Sequence, residues 1–331
     1  MKKRGMIILL PVLALALVLT IGMRTGSGAS EQVVLSASES AIPSGYTLPL
    51  ENTSLQGRVE RVDYQTRDYV NGGNITKAVF VYLPAGYDDP GNAEKQYEIL
   101  YFMHGYSGTA FELFGFHGGA NKNILDHMIA NGEISPVIVV AATWNVSPDT
   151  PTDNQTVWPG SGSGTDQREA FWQDFRNDLM PAIEGRYRTY AGLTDTDSPQ
   201  ERDDRLKASR THRAFSGFSY GGVTTWWQFR DNFDYIHDFA PFSAYSSASV
   251  AELEQAVANT TAGDSTFRIF SVTGSEDVIE SMNTSTMESI FRSSVLNDHA
   301  DYYILQGAAH DFEGYQRYLY QALKAFYRSG E

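Results

Sequence analysis

The stretch Arg213-Ala214-Phe215-Ser216-Gly217-Phe218-Ser219-Tyr220-Gly221-Gly222-Val223-Thr224-Thr225-Trp226-Trp227 decides the fold. Its centre fits the G-x-S-x-G pattern. The motif alone is weak, because small-residue pentapeptides arise by chance. Its flanks carry the reading: Arg213 to Ser216 is strand-like, and the residues from Gly221 onward suit a helix. A strand that turns sharply into a helix pushes the serine hydroxyl out at the carboxyl edge of a sheet. Glycines on either side let neighbouring backbone approach without a Cβ clash. The helix then points its N-terminus, with its partial positive charge, at the serine.

Outward from this centre, strands and helices alternate. Residues 58–64 and 77–83 read as strands by alternation. Residues 98–103 (EILYFM) and 137–142 (VIVVAA) are continuous apolar runs, as expected for strands buried on both faces. Residues 213–216, 267–273 and 300–305 read as further strands. Residues 123–130, 166–187, 280–296 and 312–327 read as helices, the second with Phe171, Phe175, Leu179 and Ile183 on one face. This order predicts an α/β-hydrolase fold: a mostly parallel central sheet with helices on both faces. Residues 30–56 read as an irregular lead-in. The charged, unpatterned stretch 192–210 reads as an exposed insertion.

The first residues read as a targeting segment. Lys2, Lys3 and Arg4 precede an apolar run from Met6 to Met23, and Ser27-Gly28-Ala29 offers a signal-peptidase site. The expected division is a signal peptide at 1–29, the lead-in at 30–56 and a single catalytic domain at 57–331. Cleavage after Ala29 predicts a secreted protein, with an uncleaved membrane anchor as the alternative. Residues 1–29 hold four basic residues (Lys2, Lys3, Arg4, Arg24) and no acid, so the mature chain keeps 21 bases against 40 acids, a net charge of −19.

That charge repels phosphate backbones and argues against a nucleic-acid partner. There is no cysteine, which excludes disulfides, thiol catalysis, cysteine-bound metals and a lipoprotein anchor. There is no H-E-x-x-H pattern, and the seven histidines are scattered, so a metal-dependent hydrolase is not expected. The 19 Tyr, 18 Phe and 5 Trp read first as an aromatic core, although aromatic-lined clefts also bind sugars and phenolic rings.

A serine needs a base to take its proton. His310 stands in Gly307-Ala308-Ala309-His310-Asp311-Phe312, between a strand and the last helix. The base in turn needs a carboxylate to fix its tautomer. Asp277 follows the strand at 267–273, with Glu276 as its competitor, whereas Asp298 and Asp301 precede a strand and fall at the wrong edge. The order Ser219, Asp277, His310 is the chain order of this fold. Acyl chemistry also needs two N–H donors for the tetrahedral oxygen. The candidates are the backbone N–H groups of Tyr220 and of Tyr106, the latter in His104-Gly105-Tyr106-Ser107-Gly108. His104 resembles a zinc ligand or base in isolation; in this loop it reads as a structural hydrogen-bonding residue.

With HGYSG at 104–108, NILDHMIANGEISPVIVV at 123–140, GFSYGG at 217–222, GSED at 274–277 and GAAHDF at 307–312, the chain resembles carbohydrate esterase family 1, the bacterial feruloyl and acetylxylan esterases. The resemblance spans about residues 57–328. It implies hydrolysis of feruloyl or acetyl esters on plant cell-wall polysaccharide such as xylan, through an acyl-enzyme and without a cofactor. An acyl transferase or a general carboxylesterase of the same fold is the alternative, since mycolyl transferases share the architecture. The polar loop 145–165 does not match the family residue by residue. Trp158 within it, together with Phe218, is the candidate substrate contact, and Tyr106 and Tyr220 could also line the cleft.

Overall fold

The computed structural model describes residues 32–106, 108–115, 117–146 and 165–330. The segment 1–29 and Trp158 therefore lie outside the described residues. Nine strands form one sheet: β1 (Gln32–Leu35), β2 (Arg58–Arg67), β3 (Asn74–Leu83), β4 (Glu98–Met103), β5 (Val137–Ala142), β6 (Arg213–Phe218), β7 (Asp238–Phe242), β8 (Arg268–Glu276) and β9 (Ala300–Ala309). Their order across the sheet is β1-β9-β8-β7-β6-β4-β5-β3-β2. Pairing is parallel except where β3 meets its neighbours β2 and β5. This is the expected mostly parallel α/β-hydrolase sheet.

The continuous apolar runs are explained by the two faces. Along β4, Ile99, Tyr101 and Met103 enter one core, while Leu100 and Phe102 enter the other. The first core is covered by the helical segment from Thr165 to Glu184 and by the helices Tyr220–Asn232, Val250–Ala258 and Glu280–Phe291. They supply Phe171, Phe175, Leu179, Ile183, Trp226, Phe229, Leu253 and Met287. The second core is covered by Ala120–Ala130 and Phe312–Tyr327, with Ile124, Leu125, Met128, Tyr315, Tyr318 and Leu319. Each such fully buried side chain stabilises the fold by about 1.5–3 kcal/mol relative to exposure. The helix read at 166–187 is interrupted by a π-type turn at Phe175–Leu179. Pro181 follows in the next turn and has no N–H to donate to the residue four before it.

Four elements differ from the sequence reading. The lead-in at 30–56 is mostly irregular, but Gln32–Leu35 adds a parallel strand to β9 at the sheet edge. The insertion at 192–210 contains a helix, Pro199–Ala208, with Ser198 and Glu201 forming a capping box and Leu206 buried beneath it. The central strand β7 and the helix Val250–Ala258 were not expected.

The strand order fixes where chemistry can occur. β5 leaves β4 on one side and β6 returns on the other, with Met103 opposite Gly217. Loops after β4 and β6 therefore meet at a topological switch point, where α/β sheets open a crevice. Among the described residues, no helix is long and apolar enough to cross a membrane.

Candidate active site

Ser219 follows β6 and stands at the N-cap of the helix Tyr220–Asn232 with φ 57° and ψ −119°, a strained backbone for a residue with a side chain. Its N–H is held by the Phe242 carbonyl at 2.9 Å. The glycines are needed for contact rather than for flexibility. A Cβ on Gly217 would collide with the Gly221 backbone, and one on Gly221 would collide with the Met103 carbonyl and lie 2.6 Å from that of His104.

His310 and Asp277 arrive from neighbouring strand ends. A Cβ on Gly274 would collide with the Ala308 carbonyl, so this glycine lets β9 close over β8. The structure brings the three side chains together in the order read from the sequence. His310 Nε2 lies 3.0 Å from Ser219 Oγ, and His310 Nδ1 lies 2.9 and 3.1 Å from the two Asp277 oxygens. Asp277 is buried whereas Glu276 is exposed, which separates the two carboxylates weighed for this position.

Residues missed in the sequence complete the setting. Asp277 also accepts hydrogen bonds from the Ser243 hydroxyl (2.6 Å), the Ile279 N–H (2.9 Å) and the Tyr318 hydroxyl (3.2 Å). Burial pushes the Asp277 carboxyl up, but the bonds from His310, Ser243 and Ile279 outweigh it and hold the group below its ordinary value of 3.8. No local motif marks Ser243 or Tyr318, because they converge only through the fold.

The loop after β4 runs beside the serine: a Cβ on Gly105 would lie 3.8 Å from Ser219 Cβ. Tyr106 is half-exposed, and its ring lies 5.3 Å from that of Tyr220. The Arg168 guanidinium stands 4.1 Å over the Tyr220 ring. Tyr220 N–H opens the helix, where amides have no intrahelical acceptor. Phe218 packs against the His310 ring, with centroids 4.5 Å apart. His104 is buried, with Nδ1 2.7 Å from the Gly105 carbonyl and Nε2 2.8 Å from Thr143 Oγ1. Among the described residues, no three His, Asp or Glu side chains are grouped to hold a metal ion. A hydroxyl, an imidazole and a buried carboxylate in this sequence are the parts of nucleophilic acyl chemistry.

Comparison with known proteins identifies relatives of this chain. The Esterase family profile matches residues 74–325. Endo-1,4-beta-xylanase Y of Acetivibrio thermocellus is 31% identical over 284 residues, covering 82% of this chain and 23% of that protein. An endo-1,4-beta-xylanase/feruloyl esterase of Xylanibacter ruminicola is 28% identical over 177 residues, 49% of this chain and 20% of that protein. The chain thus spans no more than about a quarter of these curated relatives. Among solved structures, the feruloyl esterase module from Clostridium thermocellum, a serine-to-alanine mutant complexed with sinapinate, is 30% identical with a TM-score of 0.69, covering 88% of this chain and 94% of that one. A ferulic acid esterase from Anaeromyces mucronatus shares the fold at 17% identity and a TM-score of 0.61, covering 87% and 96%. The chain belongs to the Esterase family and resembles the feruloyl esterases of carbohydrate esterase family 1.

Proposed function

We propose that the chain is a secreted feruloyl esterase that cleaves hydroxycinnamoyl esters on plant cell-wall polysaccharide such as xylan. Ser219 attacks the ester carbonyl while His310 takes its proton and Asp277 steadies the imidazolium. The backbone N–H groups of Tyr220 and Tyr106 receive the oxyanion. The alkoxide leaves with the proton from His310, and water then releases the acyl group by the same route. The observation that carries this reading is the 3.0 Å contact between His310 Nε2 and Ser219 Oγ, on a chain 30% identical to a feruloyl esterase module bound to sinapinate. Feruloyl is favoured over acetyl by that relative and by aromatic rings next to the triad, Phe218 against His310 and Tyr106 against Tyr220. Secretion is supported by the basic start, apolar run and small-residue site within 1–29.

The test is an activity panel on chain from residue 30 onward, comparing methyl ferulate, methyl sinapate, acetylated xylan and p-nitrophenyl acetate. The expected result is the highest kcat/KM on the hydroxycinnamates. Preference for acetylated xylan would overturn the acyl assignment. N-terminal sequencing of exported protein should begin at Ser30.

A further inference from the structure

A peptide bond is planar and trans, so its C=O and N–H point in opposite directions. The Gly105–Tyr106 peptide has its carbonyl on the buried His104 imidazole. We propose that His104 is a positioning residue: by holding the Gly105 carbonyl inside the fold, it turns the Tyr106 N–H outward to Ser219. The inference rests on the proposed serine-esterase reaction at Ser219, in which the Tyr106 N–H receives the oxyanion.

The tautomer follows from the partners. A carbonyl oxygen only accepts, so His104 Nδ1 carries the hydrogen that it donates to Gly105 across 2.7 Å. In a neutral ring Nε2 then holds a lone pair. Thr143 Oγ1, 2.8 Å away, already accepts from the Asn145 N–H at 3.0 Å and is free to donate its own hydrogen to Nε2. Burial, offset in part by the bond to Gly105 and reinforced by nearby Lys77, lowers the His104 pKa to about 3, so the ring stays neutral at working pH. Thr143 is braced from its other side: Lys77 Nζ donates to its carbonyl at 2.6 Å and to Asp174 at 2.6 Å. The Trp144 ring packs on the imidazole at 4.1 Å. The Gly108 N–H reaches the same Gly105 carbonyl at 3.2 Å, a longer bond than that of the imidazole.

The test separates donor position from bulk. In His104→Asn the amide nitrogen can take the place of Nδ1; in His104→Gln it takes the place of Nε2 and the Gly105 contact is lost. We expect His104→Gln to lower kcat by about 10²–10³-fold with KM within about threefold, the loss of one oxyanion donor. Affinity for a boronic-acid mimic of the tetrahedral intermediate should fall in parallel, while ferulate binds as before. His104→Asn should stay within about tenfold of wild type on the same scale. Should the His104 variants fail to fold, Thr143→Val decides: kcat and boronate affinity fall together, and Thr143→Ser restores both. Equal losses in the Asn and Gln variants, or wild-type kcat and boronate affinity in Thr143→Val and His104→Gln, would overturn the proposal while Ser219→Ala remains inactive. Turnover that survives Ser219→Ala would instead sink the reading on which it rests.

Discussion

The hydroxyl of Ser243 donates a 2.6 Å hydrogen bond to the buried carboxylate of Asp277. Ser243 follows β7 with φ 43°, its N–H is bonded to Val272, and its hydroxyl also lies 2.9 Å from Thr273 Oγ1. The carboxylate that orients His310 is therefore itself oriented, from a strand that carries none of the three triad residues. Neighbours that fix a functional group in this way commonly matter nearly as much as the group itself.

Ser243→Ala should cost about 1–3 kcal/mol, because it leaves a buried carboxylate oxygen short of a donor. It should also change the acid response. Asp277 is held below its ordinary value, so its stabilisation is present above pH 3.8 and is lost as pH falls through the folded value. Removing a donor raises that folded value toward 3.8, so urea midpoints of the variant should fall less than those of wild type as pH drops below 3.8. Identical acid limbs would show that Ser243 does not support the carboxylate.

Asp277→Asn keeps the shape of the site and removes its charge. The amide can present its nitrogen to His310 Nδ1 and so favour the wrong tautomer of the ring. A loss in kcat of about 10⁴-fold is expected. Steady-state kinetics on methyl ferulate check this, and a loss below tenfold would argue that another group orients the imidazole.

Much of this was legible in the sequence, for identifiable reasons. β4 and β5 show as continuous apolar runs because they are buried on both faces, and the elbow shows because its glycines are sterically required. β7 was hidden by Pro241 and Asp238, since proline argues against a central strand. The helix Pro199–Ala208 has almost no apolar stripe, but Ser198-Pro199-Gln200-Glu201 is a capping box with proline at the first turn and would have marked it. Ser243, Thr143 and Lys77 carry no motif. Their roles come from atoms that meet only after folding, and local pattern has no access to those meetings.

Glu112 offers a separate test of electrostatics beside the loop after β4. A Cβ on Gly108 would collide with its carboxylate, and burial pushes its pKa from 4.5 up to about 7. The folded state therefore holds this proton more tightly than the unfolded chain, and stability falls as pH rises from about 4.5 to about 7. Glu112→Gln should remove that slope and be the more stable protein at pH 8, by about 1–3 kcal/mol. Urea midpoints at pH 5 and pH 8 measure it. A variant that follows the pH dependence of wild type would contradict the burial argument.

The central claim is that an acyl group passes through the oxygen of Ser219, and mass spectrometry of acid-quenched enzyme mixed with methyl ferulate tests it most directly. A feruloyl adduct that forms within the first turnover, maps to the peptide containing Ser219, and is absent from Ser219→Ala is the expected result. An adduct on any other residue, or full turnover by Ser219→Ala with no adduct at all, would contradict the account.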